Sequence, residues 1–393
     1  MSKKQAKSSI MPAAPTELIG DIRRLIDEAR AAAATAVNVA LTMLYWRIGG
    51  RINREILKGK RADYGAEIVS ALSRQLEAEY GSGFAEKNLR RMIQFAEVFP
   101  DEQIVVSLIR QLSWTHFIAL IPLKDPLQRD FYAEMCRVER WSVRTLRQKI
   151  GSMLYERTAL SRKPKELARL ELQSLRTEDR MSPDLVFRDP YLLDFLGLKG
   201  TYQEKDLEAA ILRELEAFIM ELGAGFSFVA RQKRIIVDHD DFYLDLLFFH
   251  RGLRRLIAVE LKLGKFRPDY KGQMELYLRW LDKHERKPDE NTPLGIILCA
   301  GKNSEQIELL ELGSAGIHVA EYLTALPPKD VLKRKLHEAI AHSRLALESR
   351  GGDVTIAEAG DSRPGGRKNL SVQRQSKRHK KPATSKKAKS KRE

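Results

Sequence analysis

The chain has 393 residues, a net charge of +16 and two cysteines. At the usual ~100–200 residues per domain this length predicts two domains, and cysteines as far apart as Cys136 and Cys299 exclude a disulfide-built fold. The start lacks the apolar stretch of a signal peptide, and no segment is expected to approach the ~18 uncharged apolar residues of a membrane span. We therefore expect a soluble cytoplasmic protein with a polyanionic partner such as nucleic acid and no membrane contact. A homo-oligomer is compatible with this composition.

The N-terminal half lacks the alternation of strands and is predicted to be helical. Residues 20–56 form one long amphipathic segment whose apolar residues recur at helical spacing: Ile22, Leu25, Ile26, Ala29, Ala33 and Val37. The tryptophans at 46, 114 and 141 have apolar neighbours, so we expect core positions for them and not base-stacking surfaces.

Two further helices, Ala71–Tyr80 and Ala85–Phe95, are predicted around a break at Gly81-Ser82-Gly83. The second has an apolar stripe, and its opposite side carries four basic or amide residues: Lys87, Arg90, Arg91 and Gln94. This is the layout of a helix-turn-helix recognition helix, so these four are predicted nucleic-acid-binding residues of a helical, winged-helix-like domain over 16–160. An ordinary amphipathic helix also has a charged outer face, and that alternative stays open.

Residues 160–180 are rich in Arg, Lys and Glu and are expected to form an exposed helical link. Beyond them helices and strands alternate, in the order αβββαβ, over a second domain at 185–345. The predicted elements are a helix at Asp206–Leu222, strands at Phe226–Arg231, Phe242–His250 and Arg255–Lys262, a helix at Asp269–Leu281, strands at Leu294–Ala300 and Ile317–Ala320, and a helix at Lys329–Glu348. The fold class is therefore α+β multidomain, a helical domain followed by an α/β core.

Three charged residues, Asp245, Glu260 and Lys262, lie within two otherwise apolar strands of this core. A buried lone carboxylate costs several kcal/mol unless a positive group meets it. Strand parity places Glu260 and Lys262 on one face, and antiparallel pairing around the turn at 250–254 would bring Asp245 beside Glu260. Carboxylate oxygens suit Mg²⁺ or Mn²⁺, and an adjacent lysine can orient an attacking water, which predicts a site for phosphodiester hydrolysis. The alternative is a structural ion pair of Glu260 with Lys262, with Asp245 capping a bulge.

The sequence of this core resembles the PDDEXK nuclease superfamily and, within it, the bacterial YhcG-like family. The resemblance covers most of residues 16–328 and is specific, although Leu244 stands where the superfamily name puts proline. The matching phrases are YGAEIVSALSRQLEAEYGSGFAEKNLRRMIQFAEVFP, LSWTH, DLEAAILRELEAFIMELGAGFSFVARQ, DFYLDLLFFHRGLRRLIAVELKLGKFRP, GQMELYL, PLGIILCAGKN and HVAEYLTALP.

The resemblance implies Asp245 and Glu260 as metal ligands, with the Leu261 carbonyl as a third oxygen, and Lys262 as the water-orienting lysine. It also implies that Glu208, on the first core helix, supports the metal or its water; the alternative is an ordinary first-turn glutamate. Gln273 and Tyr277, four residues apart on one helix face, match an element that positions the substrate strand or the lysine, unless they are simply packed.

Arg231 and its neighbour Gln232 are weaker candidates for phosphate contact. The activity implied by the resemblance is that of a Mg²⁺- or Mn²⁺-dependent nuclease acting on nucleic acid, with DNA expected. The competing hypothesis is a catalytically silent protein of this fold that binds nucleic acid or recruits a partner.

The last residues concentrate the positive charge. Residues 362–393 hold thirteen Lys or Arg and one acid, a net +12, which leaves the rest of the chain nearly balanced at +4. Residues 362–393 also have almost no apolar side chains, and the region 350–393 is expected to be a disordered basic tail. Such a tail can grip phosphates without reading sequence, and the alternative is a solubilising extension.

Overall fold

The computed structural model describes residues 16–58, 62–198, 201–223 and 225–350. The predicted tail lies outside these residues, apart from Arg350 at the end of the last helix. The predicted domain limits, 16–160 and 185–345, stay predictions.

The N-terminal part is helical, as predicted. Its helices are α1 (Thr16–Lys58), α2 (Ala62–Tyr80), α3 (Glu86–Val98), α4 (Glu102–Leu108), α5 (Trp114–Leu120), α6 (Pro126–Glu139), α7 (Val143–Gly151), α8 (Leu154–Arg157), α9 (Ala159–Arg162), α10 (Lys165–Glu178) and α11 (Pro183–Val186), with a 3₁₀ turn at Ser82–Phe84. The described residues between 16 and 182 contain no strand, so none of them forms the wing of a winged helix.

Aromatic side chains build the core of this helical part. Phe95, Phe99 and Phe117 contact one another edge to face or tilted, with ring centres 4.5–5.7 Å apart. Trp141 is buried in the same core, and Trp46 packs against it while its indole N–H donates to the Phe99 carbonyl at 2.8 Å. The tryptophans are core anchors, as the sequence indicated.

The close crossing of α1 and α3 requires a glycine. A Cβ on Gly49 would lie 1.8 Å from the Met92 carbonyl oxygen, so no larger residue fits without moving one helix. Leu89 and Met92 of α3 are fully buried beside this crossing, which fixes the apolar stripe of α3 against α1.

Helix α1 differs from the expectation on membrane spans, because by length and composition alone it could cross a membrane. That expectation was wrong for the stretch 31–46, which has no charged residue. The second half of α1 nevertheless belongs to the helical core: Thr42 and Ile52 are buried, and Asn38 donates to the Leu112 carbonyl.

Helix α10 is a second correction, because the stretch 160–180 is not an exposed link. Ala168, Leu172 and Leu175 recur on one face of α10 and are buried against the helical core. Arg176 of α10 pairs with the buried Glu134 of α6 at 2.6 Å. The many charged residues hid this apolar stripe in the sequence.

The C-terminal part is built on a mixed six-stranded sheet. Its elements are β1 (Tyr191–Leu192), α12 (Glu204–Arg213), α13 (Leu215–Leu222), β2 (Phe226–Val237), β3 (Asp240–His250), β4 (Arg255–Lys265), α14 (Asp269–His284), β5 (Leu294–Gly301), α15 (Ser304–Leu309), β6 (Ile317–Leu323) and α16 (Lys329–Arg350), with a 3₁₀ turn at Asp194–Leu196. The strand order is β1-β6-β5-β4-β3-β2; β2, β3 and β4 pair antiparallel and the other neighbours pair parallel. The predicted αβββαβ order is confirmed.

The structure divides the first core helix, which the sequence predicted as a single element. Helix α12 ends at Arg213 and α13 begins at Leu215, with the backbone at Glu214 outside helical geometry (φ −106°, ψ 34°). Both helices cover one face of the sheet, where Leu207, Ile211 and Phe218 are fully buried. Helix α14 covers the other face, and the central strand β4 lies between the two cores.

Candidate active site

The candidate site lies where β3 and β4 separate. These strands pair antiparallel from His250↔Arg255 to Leu246↔Val259, as the sequence predicted. Beyond that last pair β3 stays bonded to β2 and β4 to β5, so the two strands diverge. Asp245 and Glu260 are the first residues past the pairing, directly opposite each other. We call this point the fork.

Two hydrogen bonds fix the carboxylate of Asp245 at the fork. One oxygen of the Asp245 carboxylate accepts the backbone N–H of Leu261 at 2.9 Å, and the other accepts the side-chain amide of Gln232 at 3.1 Å. Both oxygens therefore have a fixed direction, which orients the carboxylate across the opening between the strands.

Glu260 is only partly satisfied. Its side chain is 5% exposed, and Oε2 lies 3.0 Å from the Lys262 ammonium on the same strand face. Oε1 is buried and has no hydrogen-bond partner among the described residues. An unpaired buried carboxylate oxygen is costly, so the position of this atom suits contact with a cation.

The electrostatics of the fork agree with this geometry. Burial and the charge of Asp245 raise the pKa of Glu260 to about 7, although Lys262 acts in the opposite direction. Burial also raises the pKa of Asp245, against the Leu261 N–H and Lys262. For Lys262, burial lowers the pKa, but the nearby acids, Glu260 first among them, together raise it above its usual value, so the ammonium stays charged. Two carboxylates with raised pKa values beside one cation are the electrostatic pattern of a functional site.

Glu208 lies beside Asp245 and is joined to it through Gln232. The Gln232 amide nitrogen donates to Glu208 at 2.9 Å as well as to Asp245, from a backbone with positive φ (44°). Burial and the nearby charge of Asp245 raise the pKa of Glu208, with Gln232 opposing them. The structure thus brings Glu208 to the fork, and Gln232 contacts carboxylates there, whereas the sequence suggested a phosphate contact for it.

Glu204 was missed in the sequence and also lies at the fork. One of its carboxylate oxygens accepts the Leu263 backbone N–H at 3.3 Å, and its charge acts on Asp245 and Lys262. Glu204 is one helical turn before Glu208, so the i, i+4 spacing of two acids on the first core helix was the available signal.

Gln273 and Tyr277 meet each other on α14. The Gln273 side-chain nitrogen donates to the Tyr277 hydroxyl at 2.6 Å, and that hydroxyl donates to the Tyr243 carbonyl on β3. Burial raises the pKa of Tyr277, Gln273 opposes this, and the charge of Glu260 adds to it. The pair therefore lies at the α14 side of the fork, while Tyr277 is also fully buried, as a packed residue would be. The Lys262 ammonium lies 5.2 Å from the ring centre of Tyr270 on the same helix.

The remaining predicted residues are not part of the fork. Arg231 is exposed on β2, next to Gln232, and its charge reaches Glu208. The four residues on α3 belong to the helical part: Lys87 and Gln94 are exposed, Arg90 pairs with Glu86 at 2.6 Å, and Arg91 donates to Asn88 at 3.3 Å. Arg231 and the four α3 residues are therefore separate groups on different parts of the chain. That either group binds substrate stays a prediction.

The fork suits a divalent cation with few protein ligands. The described residues contain no group of three His, Cys, Asp or Glu that could hold a metal. Two carboxylates, Asp245 and Glu260, nevertheless converge, and the buried Oε1 of Glu260 lacks a partner. Magnesium characteristically keeps several waters and takes one or two carboxylates from the protein, so a two-carboxylate site is compatible with it.

Comparison with known proteins gives the same assignment for the C-terminal part. A family model described as the YhcG PDDEXK nuclease domain matches residues 184–337, and a model described as the DUF1016 N-terminal domain matches residues 21–157. A protein of Escherichia coli (strain K12) named "Putative nuclease YhcG" is 35% identical over 358 residues, which cover 83% of this chain and 94% of that protein.

Solved endonuclease structures match only part of this chain. The crystal structure of a repair endonuclease from Pyrococcus abyssi has 23% identity over 33% of this chain and 50% of its own, with a TM-score of 0.23. The structure titled "Structure of EndoMS-dsDNA2 complex" has 18% identity over 33% of this chain and 49% of its own, with a TM-score of 0.25. Neither likeness carries weight at such scores.

The identity over most of both chains and the two consecutive domain matches settle the family. Together with the observed αβββαβ core, they show that this chain belongs to the YhcG family and carries a PDDEXK nuclease domain behind its helical N-terminal part.

Proposed function

We propose that this protein hydrolyses phosphodiester bonds of DNA and requires Mg²⁺ or Mn²⁺. The observation that carries the proposal is the fork itself, where Asp245 and Glu260 converge and the buried Oε1 of Glu260 has no partner among the described residues. The nuclease domain match supports the reaction class. The net charge of +16 supports a polyanionic substrate.

In this proposal Asp245 and Glu260 hold the cation. When bound, the cation would polarise the phosphate and stabilise the negative charge that develops on its oxygens. Lys262 cannot be a ligand because its ammonium has no lone pair. Its position 3.0 Å from Glu260 instead allows it to orient the attacking water or contact the phosphate.

The surrounding residues act by positioning. Gln232 fixes the direction of the Asp245 carboxylate and keeps Glu208 beside it. Gln273 is the α14 residue that we propose to contact the substrate strand, since its amide nitrogen is anchored on the Tyr277 hydroxyl. Phosphate contact by Arg231 is proposed on its exposed position beside the fork.

We propose DNA as the substrate because the helix pair α2 and α3, with the 3₁₀ turn between them, has the order of a helix-turn-helix. Lys87, Arg90, Arg91 and Gln94 would face the duplex. Arg90 is partly neutralised by Glu86, so Lys87 is the stronger of the exposed cations. We also propose a cytoplasmic location, in agreement with two free, buried cysteines.

Purified full-length protein should be incubated with single-stranded, duplex and branched DNA and with the RNA counterparts, in Mg²⁺, in Mn²⁺ and in EDTA. We expect metal-dependent cleavage of DNA, lost in Asp245→Asn and Glu260→Gln while binding remains. Asp241→Asn is the matched control, because Asp241 is an exposed carboxylate on the same strand, paired with Arg234.

The alternative function, a catalytically silent binder, makes a different prediction. It would bind the same substrates with no cleavage in either metal, and the fork variants would then differ from the control in nothing but stability. Preferential cleavage of RNA would overturn the DNA assignment while leaving the reaction class intact.

A further inference from the structure

The first half of α1 carries apolar side chains that the described part of the chain does not cover. Leu18, Ile22, Leu25 and Ile26 are 52%, 47%, 61% and 44% exposed. At 100° per residue these four fall on one helix face. Helices in water owe most of their stability to the packing of such a face, and a long exposed apolar stripe marks an interaction surface.

The same face continues into the second half of α1, where it borders a groove. The groove lies between α1 and α4 and encloses about 490 Å³. Its lining is mostly apolar, with Arg47 of α1 and Arg110 of the turn after α4 as its two charged residues: Val39, Ala40, Met43, Leu44, Arg47, Val106, Ile109 and Arg110. One helix face therefore presents protruding side chains at one end and a receiving groove at the other.

We propose that α1 pairs antiparallel with α1 of a second copy of this chain, about a two-fold axis between Ala32 and Ala33. Position i then lies opposite position 65 − i. Ile26 would meet Val39, Leu25 would meet Ala40, and Ile22 would meet Met43. Each copy thus places its protruding side chains in the groove of the other, which is the reciprocal contact that a two-fold interface requires.

The centre of α1 favours this close approach. Residues 31–34 are four consecutive alanines, and the whole stretch 31–46 carries no charge. Small side chains at the axis let two helices come near each other, and the paired segment from Leu18 to Arg47 would be about 43 Å long at 1.5 Å per residue. A contact of this length suits a dimer better than a short peptide.

Charge decides between the two directions of pairing. In the antiparallel arrangement the acidic end of the stripe, with Glu17 and Asp21, reaches the basic end of the groove, with Arg47 and Arg110. Arg47 and Asp21 now make exposed pairs, with Glu102 and with Arg24, and such pairs are worth little and can be exchanged. Parallel pairing would place Arg47 against its own copy and leave the groove empty.

The oligomeric state of the full chain tests the proposal, by sedimentation equilibrium without nucleic acid. We expect a dimer, and we expect Leu25→Glu to raise its dissociation constant at least about 100-fold, since each dimer buries the new carboxylate twice in apolar contacts. Leu170→Glu is the matched control, because Leu170 is 51% exposed on α10, away from the stripe. Circular dichroism should show both variants folded, since neither residue is buried.

Cysteine cross-linking tests the direction. Leu25→Cys alone and Ala40→Cys alone should form no intermolecular disulfide, whereas an equimolar mixture should cross-link as a heterodimer. The native cysteines are buried and do not compete. Efficient disulfide formation by Leu25→Cys alone would show parallel pairing and overturn the model of reciprocal grooves.

Three other outcomes would also overturn the proposal. The first is a wild-type chain that stays monomeric at tens of micromolar, which would mean that another segment or protein covers the stripe. The second is equal weakening by Leu25→Glu and Leu170→Glu. The third is binding of the wild type to phospholipid vesicles that Leu25→Glu abolishes without any dimer in solution, which would assign the stripe to a lipid surface. None of these readouts depends on nuclease activity.

Discussion

The sharpest consequence of the fork concerns Glu260 in metal-free protein. Its pKa is raised from 4.5 to about 7, so the folded state holds the proton more tightly than the unfolded chain does. Ionised Glu260 therefore destabilises the fold: the cost is absent below pH ~4.5, grows between pH ~4.5 and ~7, and is complete above that. At 1.36 kcal/mol per pKa unit the cost is about 3 kcal/mol. The attraction of Lys262 is already included in that shift.

Glu260→Gln removes the ionisation and approximates the protonated side chain. In EDTA we expect the variant to be more stable than the wild type by up to about 3 kcal/mol above pH 7, and by less than about 1 kcal/mol near pH 5. Urea unfolding at several pH values from 5 to 8.5 measures the difference. Glu285→Gln is the control, since Glu285 forms a half-exposed pair with Lys233 at 2.7 Å and should change stability little.

Addition of Mn²⁺ should reverse the order, because a cation that binds the folded state stabilises it by mass action and the variant loses a ligand. A variant that is less stable than the wild type at pH 8 in EDTA would refute the reasoning. It would mean that Glu260 is a structural partner of Lys262, as the ion-pair alternative holds. A stability difference that stays constant from pH 5 to 8.5 would refute the assigned titration.

Three further outcomes are expected. Gly49→Ala should destabilise the protein in thermal unfolding by about 1–3 kcal/mol or more, because its methyl group meets a backbone carbonyl of α3. The control Gly20→Ala on the same helix meets nothing and should be neutral or stabilising. Lys262→Met should lower the cleavage rate far more than it lowers the metal affinity measured by calorimetry. The control Lys265→Met, at an exposed position on the same strand, should change neither. Equal loss of metal affinity in Lys262→Met and in the carboxylate variants would contradict the assigned role. Deleting residues 362–393 should flatten the salt dependence of DNA binding, by about 0.9 in log–log slope for each lost phosphate contact. Cleavage at saturating substrate should not change. An unchanged slope would make the tail a solubilising extension.

The sequence alone determined the order of elements and the central pair of carboxylates. The short turn after His250 predicts the antiparallel pairing that brings Asp245 opposite Glu260, because the length of a hairpin turn fixes which residues pair, and strand parity places Glu260 and Lys262 on one face. The helical spacing of apolar residues predicted the stripe of α3 and the long helix α1. Local pattern suffices wherever neighbours along the chain are also neighbours in space.

Only the tertiary structure decided which polar atoms meet and which faces are covered. The sequence placed Gln232 near phosphate, but its contact with Asp245 and Glu208 depends on β2 lying beside β3 and on α12 packing near them against β4. It missed Glu204, and it made α10 an exposed link although that helix packs on α6. It also could not show that the stripe of α1 lacks cover, since an apolar helix face has the same pattern whether or not another surface packs against it.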